Sequence, residues 1–137
     1  MADMPMPTNS ELEVLRLLWQ SGPQTVRDVF DAVRRRRSVG YTTVLKTLQV
    51  MQEKGLVARD ESERSHVYVA VVREASVKKR LVSDLINRVF EGSTVGLVAQ
   101  ALSATPATPN ELHEIRELLD EASSDADRRR RRGRGRV

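Results

Sequence analysis

The side chains best suited to chemistry in this sequence are three threonines and a lysine, Thr42, Thr43, Lys46 and Thr47. Hydroxyl and ammonium groups can donate to phosphate oxygens and base edges, and threonine methyl groups can contact the methyl group of thymine. A helix that carries such groups on its outward face is suited to the major groove of duplex DNA. An ordinary amphipathic helix with a polar solvent face has the same pattern.

An apolar stripe beside these side chains predicts the helix that presents them. Tyr41, Val44, Leu48 and Met51 recur at roughly helical spacing, and Gly55 is expected to end the helix. A β-branched threonine so near the start of a helix is not explained by helix propensity. Its hydroxyl group is therefore expected either to cap the helix or to bind a phosphate or a base edge.

Two shorter helical patterns come before this helix. The first has apolar residues at Leu12, Leu15, Leu18 and Trp19, and the second at Val26, Val29, Phe30 and Val33. Ser10 and Glu13 have the spacing of a capping box for the first helix, and Thr25 is placed to cap the second. Gly22 and Pro23 separate the two helices.

A short hairpin is predicted directly after the third helix. Residues 56–59 and 66–72 are rich in β-forming side chains and flank the polar stretch 60–65. Three helices followed by a hairpin are typical of a winged helix-turn-helix. Arg64 and His66 at the hairpin tip are candidates for contact with a minor groove or the DNA backbone, and a plain surface loop has the same composition.

Four consecutive arginines, residues 34–37, follow the second helix. Cations at that place can contact phosphates beside the third helix, and we select Arg35 and Arg36 for this role. Ser10 and Thr25 are also predicted to contact the DNA backbone, and Tyr41 is a further predicted DNA-binding residue. The alternative is a solvated run that complements the helix dipole. That benefit extends over the last turn at most, so four arginines exceed it.

The residues from 74 onward contain three further helical patterns with too little apolar surface to form a core of their own. Their apolar residues are expected to pack against a second copy of the chain. These predicted dimerisation residues are Val77, Leu81, Leu85, Val89, Phe90, Leu97, Val98, Leu112, Ile115 and Leu119. We therefore predict a DNA-binding domain at 1–73, a dimerisation domain at 74–123 and a disordered arginine-rich tail at 124–137.

Charge is distributed unevenly along the 137 residues. Residues 1–73 have a net charge of +2, residues 74–127 of −5, and the last ten contain seven arginines. The tail is expected either to add non-specific affinity for DNA or to act only as a solubilising terminus. No apolar run is long enough to cross a bilayer, so membrane insertion is not expected and a cytoplasmic location is the default.

Several classes of site are excluded or disfavoured by residue type. The sequence has no cysteine and two histidines, His66 and His113, far apart in the chain. Disulfides and zinc–cysteine sites are thus excluded, and we predict no metal and no cofactor. Ser93 and Thr94 follow a glycine, but no base partner is identifiable and there is no phosphate-binding glycine loop. The sequence predicts no enzyme.

Four segments together resemble the BlaI/MecI penicillinase-repressor family. They are residues 10–15 with Leu18-Trp19, residues 25–29, residues 41–48 and residues 54–57. The resemblance is strong through about residue 72 and continues more weakly to Leu119. It implies a mainly α fold, in which a winged helix-turn-helix with a small β-hairpin wing precedes a C-terminal helical dimerisation domain. It also implies a homodimer that binds a palindromic operator on double-stranded DNA and represses transcription without a cofactor.

The resemblance also implies a route of inactivation. In such families a pathway that starts at a membrane sensor metallopeptidase leads to cleavage within the dimerisation helices. The Asn–Phe bond that is typically cut aligns with Gln100–Ala101 here, where the bulky residue is absent. A related copper-responsive branch carries C-terminal cysteines, and the lack of cysteine excludes sensing of that type.

The residues alone leave two other functions open, because a fold does not decide a function. One is a winged-helix module that binds another protein and does not read DNA. The other is a winged-helix regulator controlled by a small ligand in its C-terminal half.

Overall fold

The computed structural model describes residues 4–62 and 64–135. In chain order these residues form α1 (Asn9–Ser21), β1 (Gln24–Thr25), α2 (Val26–Arg34), α3 (Tyr41–Lys54), β2 (Val57–Asp60), β3 (Val67–Ala70), α4 (Glu74–Val89), α5 (Thr94–Ala104) and α6 (Pro109–Arg134). The predicted fold class is confirmed: the chain is mainly α, with a winged helix-turn-helix followed by C-terminal helices.

The cap of α1 differs from the prediction. Thr8, not Ser10, is the N-cap: its hydroxyl accepts from the Glu11 backbone N–H at 3.2 Å, and the Glu11 carboxylate accepts from the Thr8 backbone N–H at 2.8 Å. Ser10 lies in the first helical turn. The sequence offers two overlapping serine or threonine to glutamate spacings, Thr8–Glu11 and Ser10–Glu13, and local pattern alone does not separate them. The predicted cap of α2 by Thr25 is confirmed.

The two ends of α3 are formed by glycines. Gly40 is the N-cap and supplies no side chain, so the threonine hydroxyls that follow do not cap the helix. Gly55 ends the helix with φ +81°, a left-handed conformation that costs glycine little because it has no Cβ. The Leu56 backbone N–H then donates to the Met51 carbonyl at 2.9 Å, which fixes the turn into the wing.

The wing belongs to a three-stranded antiparallel sheet with the order β1-β3-β2. The hairpin pairs Arg59 with Tyr68, and β1 pairs Thr25 with Val67. The hairpin was predicted, whereas β1 was not, because a two-residue strand shows no periodicity. Through β1 the wing is attached directly to the start of α2.

One apolar cluster joins α1, α2, α3 and the hairpin. Its buried members are Val14, Leu15, Leu18, Val29, Phe30, Val33, Val44, Leu48, Met51, Leu56, Val57 and Tyr68. Trp19 packs at the edge of the cluster, and its Nε1–H donates to the Val72 carbonyl at 3.0 Å. Trp19 therefore contributes to the core, and it also fastens the chain just after the wing.

The chain divides into two compact units, one up to Leu85 and one from Ile86 onward. Helix α4 extends across this limit, and the predicted division at residue 73 falls one residue before α4 begins. The assignment of residues 1–73 to DNA binding and 74–123 to dimerisation stays a prediction. None of the described helices combines the length and apolar character needed to cross a membrane.

The predicted disorder of the tail is wrong for residues 124–134, because α6 continues to Arg134. The helix begins with Thr108 as N-cap, Pro109 at the first helical position and Glu111 closing a capping box. Arginine and alanine are good helix formers, and this intrinsic propensity outweighs the disorder expected from a highly charged composition. Residues 136–137 lie outside the described part of the chain.

Candidate nucleic-acid interface

The geometry of the interface begins with the buried side of α3. Val44, Leu48 and Met51 are at most 4% exposed and fix the helix on the core. Tyr41, expected on the same stripe, is 44% exposed and packs edge-on against Phe30, with ring centroids 5.7 Å apart. Because one side of α3 is held so firmly, the direction of its opposite side is defined.

The opposite side of α3 presents the predicted polar groups. Thr42, Thr43 and Lys46 are exposed, and Thr47 is half-buried. The Thr47 hydroxyl donates to the Thr43 carbonyl at 2.9 Å, so its proton is used within the helix and its oxygen is left to accept. Within the described residues, Thr42, Thr43 and Lys46 thus keep donors that are free to bind DNA. Thr47 is the weakest of the four candidates for a DNA contact.

Ser10 lies close to this face despite its failed capping role. It lines a shallow cleft together with Thr43, Lys46 and Thr47, at the start of α1. The Ser10 side chain is exposed, and its hydroxyl makes no hydrogen bond within the described residues. The structure therefore brings four of the predicted contact residues to one place.

The four arginines at the end of α2, residues 34–37, do not share one environment. The Arg37 guanidinium donates twice to the Glu13 carboxylate, at 3.1 and 3.0 Å, and Arg34 stacks 5.7 Å from the centre of the Phe30 ring. Arg35 and Arg36 are exposed, and neither forms an ion pair with any residue that the structure describes. The two arginines predicted to meet phosphates are thus the two without a structural partner.

Thr25 has a structural role as the N-cap of α2. Its hydroxyl accepts from the Asp28 backbone N–H at 3.1 Å, and the Asp28 carboxylate accepts from the Thr25 backbone N–H at 3.0 Å. The hydroxyl proton remains available to an outside acceptor. Thr25 can therefore contact a phosphate while it caps α2.

The wing tip exposes the two predicted residues Arg64 and His66. The base of the loop is ordered by an ion pair between Arg59 and Glu61, and the Ser62 backbone N–H donates to the Asp60 carboxylate at 2.9 Å. The hydrogen bonds from the Ser62 side chain and backbone lower the pKa of Asp60. Residue 63, which belongs to the predicted polar stretch 60–65, lies outside the described residues.

A partly buried ion pair between α1 and α3 was missed by the sequence analysis. The Glu11 carboxylate, in a residue only 3% exposed, accepts from Lys54 Nζ at 2.8 Å and thereby links the start of α1 to the end of α3. Burial alone raises the pKa of Glu11, but the hydrogen bonds from Lys54 and the Thr8 backbone outweigh it, so the pKa lies below 4.5. The two residues stand 43 positions apart, so no local pattern announces the pair.

The predicted dimerisation residues fall into two groups. Val77 is fully buried within a single chain and has no surface to offer a partner, so its selection was wrong. The other nine are half-buried or exposed: Leu81, Phe90, Leu97 and Ile115 are half-buried, and Leu85, Val89, Val98, Leu112 and Leu119 are exposed. Ile86 was not selected, although it follows Leu85 directly.

The predicted cleavage bond lies within a regular helix. Gln100 and Ala101 are both exposed on α5.

As for metals, the described residues contain no group of three histidine, cysteine, aspartate or glutamate side chains that could hold an ion.

Comparison with known sequences identifies the family. The sequence model of the family described as penicillinase repressor matches residues 7–121. The chain belongs to this family. The predicted BlaI/MecI resemblance is thereby confirmed, and the family consists of repressors by its description rather than of enzymes.

Individual known proteins are similar to this chain to different extents. The methicillin resistance regulatory protein MecI of Mammaliicoccus sciuri is 20% identical over 113 residues, which cover 82% of this chain and 92% of that protein. The transcriptional regulator BlaI of Mycobacterium tuberculosis is 42% identical over 62 residues, which cover 44% of this chain and 45% of that protein. The solution structure of the Bacillus licheniformis BlaI monomeric form with the blaP half-operator has 21% identity and a TM-score of 0.49, and covers 55% of this chain and 92% of that one.

Proposed function

We propose that this protein is a transcriptional repressor that binds an operator on duplex DNA as a homodimer. The observation that carries the proposal is that α3 has one buried apolar side and one exposed polar side. The helix buries Val44, Leu48 and Met51 in the core and turns Thr42, Thr43 and Lys46 to the outside. Membership of a family described as penicillinase repressor supports the same function.

The exposed side of α3 is suited to the major groove. Threonine hydroxyls donate and accept, threonine methyls contact thymine, and Lys46 can donate to guanine acceptors or a nearby phosphate. Tyr41, at the start of the helix, is exposed beside these groups and can donate its phenolic proton to a phosphate. These contacts specify the sequence, and they require the rigid support that the core gives to the helix.

The groups around α3 are suited to the DNA backbone. Arg35 and Arg36 are exposed cations without an ion-pair partner among the described residues. Ser10 and Thr25 each retain a hydroxyl proton, and Arg64 and His66 stand at the tip of the wing. Such contacts fix the register of a protein on the duplex and are independent of base sequence.

Homodimerisation is proposed from the C-terminal helices. No residue of α5 or α6 is buried in the described chain, and Val95, Val98 and Leu118 are among the exposed apolar side chains. A unit of about fifty residues without a buried side chain cannot be stable alone. A second copy offers the same apolar surface by two-fold symmetry, and two copies of α3 would then read two half-sites.

Relief of repression by proteolysis is proposed through α5. A protease that cuts Gln100–Ala101 must first unwind the helix, because peptide bonds are cleaved from an extended chain. A dimer would protect α5, and its dissociation would expose the bond. The family resemblance suggests that a pathway starting at a membrane sensor metallopeptidase triggers this cleavage.

The test of the proposal begins with a genomic footprint that identifies the operator. A gel-shift assay on that operator then compares Lys46→Ala with Lys79→Ala, an exposed lysine on α4. We expect Lys46→Ala to weaken operator binding by about 1–3 kcal/mol, roughly 5- to 150-fold, and Lys79→Ala to leave it near the parent value. Equal affinity of Lys46→Ala and the parent would contradict the assignment, as would a footprint without preferred sites.

A further inference from the structure

The last two turns of α6 carry an unusual density of positive charge. Within residues 128–134, which we call the arginine segment, six of seven positions are exposed arginines: Arg128, Arg129, Arg130, Arg131, Arg132 and Arg134. At 100° per residue these side chains point in all directions around the helix rather than along one stripe. The arginine segment therefore has no apolar side and no packing role that would explain it.

The rest of the described chain neutralises little of this charge. Arg128 pairs with Asp125 at 2.9 Å, and the described residues provide no ion pair for the other five arginines. The helix dipole favours cations over the last turn only, whereas the arginine segment covers about two turns. Arginines three and four positions apart repel each other, which disfavours the helix. An external anion would remove this repulsion.

The charge per unit length of the arginine segment is equal in size to that of duplex DNA. A helix rises about 1.5 Å per residue, so six charges in seven residues amount to one per about 1.75 Å. Duplex DNA carries one negative charge per about 1.7 Å of its axis. Arginine also holds phosphate with two parallel hydrogen bonds, which lysine cannot do.

We propose that the arginine segment binds the phosphate backbone of duplex DNA. This contact is independent of base sequence and is made in addition to the contact of α3. This inference rests on the proposed function, because α3 brings duplex DNA to the same molecule and raises its effective concentration at the segment. The segment thus supplies affinity through the release of counterions, whereas α3 supplies the choice of site.

The other half of α6 favours DNA over an extended anionic surface. Residues 109–127 contain seven acidic residues and one arginine, and they belong to the same helix. A lipid bilayer large enough to lie along α6 would meet this acidic half and be repelled. The arginine segment is about 10 Å long, so a duplex can cross the helix there and leave the acidic half in solvent.

The test uses the full chain and a mixed-sequence duplex without the operator. In one variant Arg128→Gln, Arg129→Gln, Arg130→Gln, Arg131→Gln and Arg132→Gln are combined, because glutamine removes the charge and preserves helix propensity. In the matched control the same five arginines are replaced by lysine. The affinity of each protein for the duplex is measured by fluorescence anisotropy between about 50 and 200 mM salt.

We expect the glutamine variant to bind the duplex at least about tenfold more weakly at physiological salt, with a slope of log affinity against log salt that is smaller by up to about 4.5 per chain. The lysine control should keep most of the slope, because it keeps the charge. Circular dichroism should give the same helix content for all three proteins, so that loss of affinity is not loss of the helix.

Three results would overturn the inference. They are an unchanged slope in the glutamine variant, a lysine control that loses as much slope as the glutamine variant, and binding of the parent to anionic phospholipid vesicles with no effect of the variant on the duplex. A genomic footprint of the glutamine variant keeps this test separate from the proposed function. If the glutamine variant keeps both the protected sites and the salt slope of the parent, the arginine-segment contact alone is contradicted. If the footprint of the parent shows no preferred sites, the proposed repressor function is contradicted.

Discussion

The two compact units of this chain reach stability by different means. In the unit that ends at Leu85, twelve apolar residues from three helices and the wing form one buried cluster. In the unit that begins at Ile86, helices α5 and α6 bury no residue, although their ends are capped by Ser93 and Thr108. Local helix signals are therefore present in both units, but tertiary burial is present in one.

This difference teaches that good caps and propensity specify helices without specifying what the helices pack against. Burial of apolar surface is the main stabilising term in folding, and it is absent from the second unit as a single chain. The first unit is expected to keep its structure at any protein concentration. The second is expected to depend on a partner, and its stability should therefore vary with protein concentration.

The largest expected effect comes from Leu119→Asp, which places a charge on the apolar stripe of α6. Leu119 is 56% exposed in the single chain, so the substitution leaves the core of the first unit unaltered. Burying an unpaired carboxylate at the proposed dimer interface should weaken dimerisation by about 2 kcal/mol or more, roughly 30-fold in the dissociation constant. Analytical ultracentrifugation over a range of concentrations measures this change.

Val71→Asp is the matched control for Leu119→Asp, because Val71 is also 56% exposed but follows the wing in the first unit. We expect it to leave the monomer–dimer equilibrium unchanged. The two units would not differ as described if both substitutions weakened dimerisation equally, or if neither did.

The fold of the first unit was largely predictable because its core residues recur at helical and strand spacing. The stripes through Leu15, Val29 and Leu48 each contain fully buried residues, and burial is what such periodicity encodes. The strand β1 was not predictable, since two residues have no period. The helical tail was misjudged because charge was given more weight than the helix propensity of arginine.

The candidate site was predictable as a set of exposed residues on α3 but not in its details. The exposed side of a helix is the complement of its apolar stripe, so Thr42, Thr43 and Lys46 could be placed from sequence. The pairing of Arg37 with Glu13 joins residues 24 positions apart and depends on how α1 packs against the end of α2. Such contacts arise from tertiary structure, which no local pattern contains.

A smaller effect is expected from Glu11→Gln, which removes the buried charge that pairs with Lys54. Glutamine keeps an acceptor for the Thr8 backbone N–H but loses the charged bond to Lys54, which should lower the stability of the first unit by about 1–2 kcal/mol at neutral pH. The pKa of Glu11 is depressed in the folded state, so its contribution is present above pH 4.5 and is lost as the pH falls through the folded pKa. Urea unfolding followed by the fluorescence of Trp19, the single tryptophan, reports on this unit.

Glu117→Gln is the counterpart of Glu11→Gln in the second unit. Glu117 pairs with His113 at 3.1 Å, but both side chains are mostly exposed, and water and salt screen such pairs. We expect no measurable change in unfolding for this variant at any pH. The account of Glu11 fails if Glu11→Gln and the parent differ in stability by the same amount at pH 7 and well below the folded pKa.

The smallest effects are expected from the helix N-caps, a feature that is present in both units. Thr25→Ala and Thr108→Ala each remove one capping hydroxyl, from α2 and from α6, and each should cost about 1 kcal/mol. Thr25→Ala should lower the midpoint of the Trp19 transition, because α2 is part of the first core. Thr108→Ala should leave that transition unchanged and instead reduce helix content and dimerisation, as measured by circular dichroism and ultracentrifugation.

Thr25→Ser and Thr108→Ser restore the capping hydroxyl and should return each property to nearly the parent value. A shift of the Trp19 transition by Thr108→Ala would mean that the two units unfold as one, in contradiction to the comparison. Thr25 also bears on the interface, because its hydroxyl proton is free for a phosphate. If Thr25→Ala weakens operator binding while Thr108→Ala at dimer-saturating concentration does not, the contact belongs to the threonine itself and not to helix stability in general.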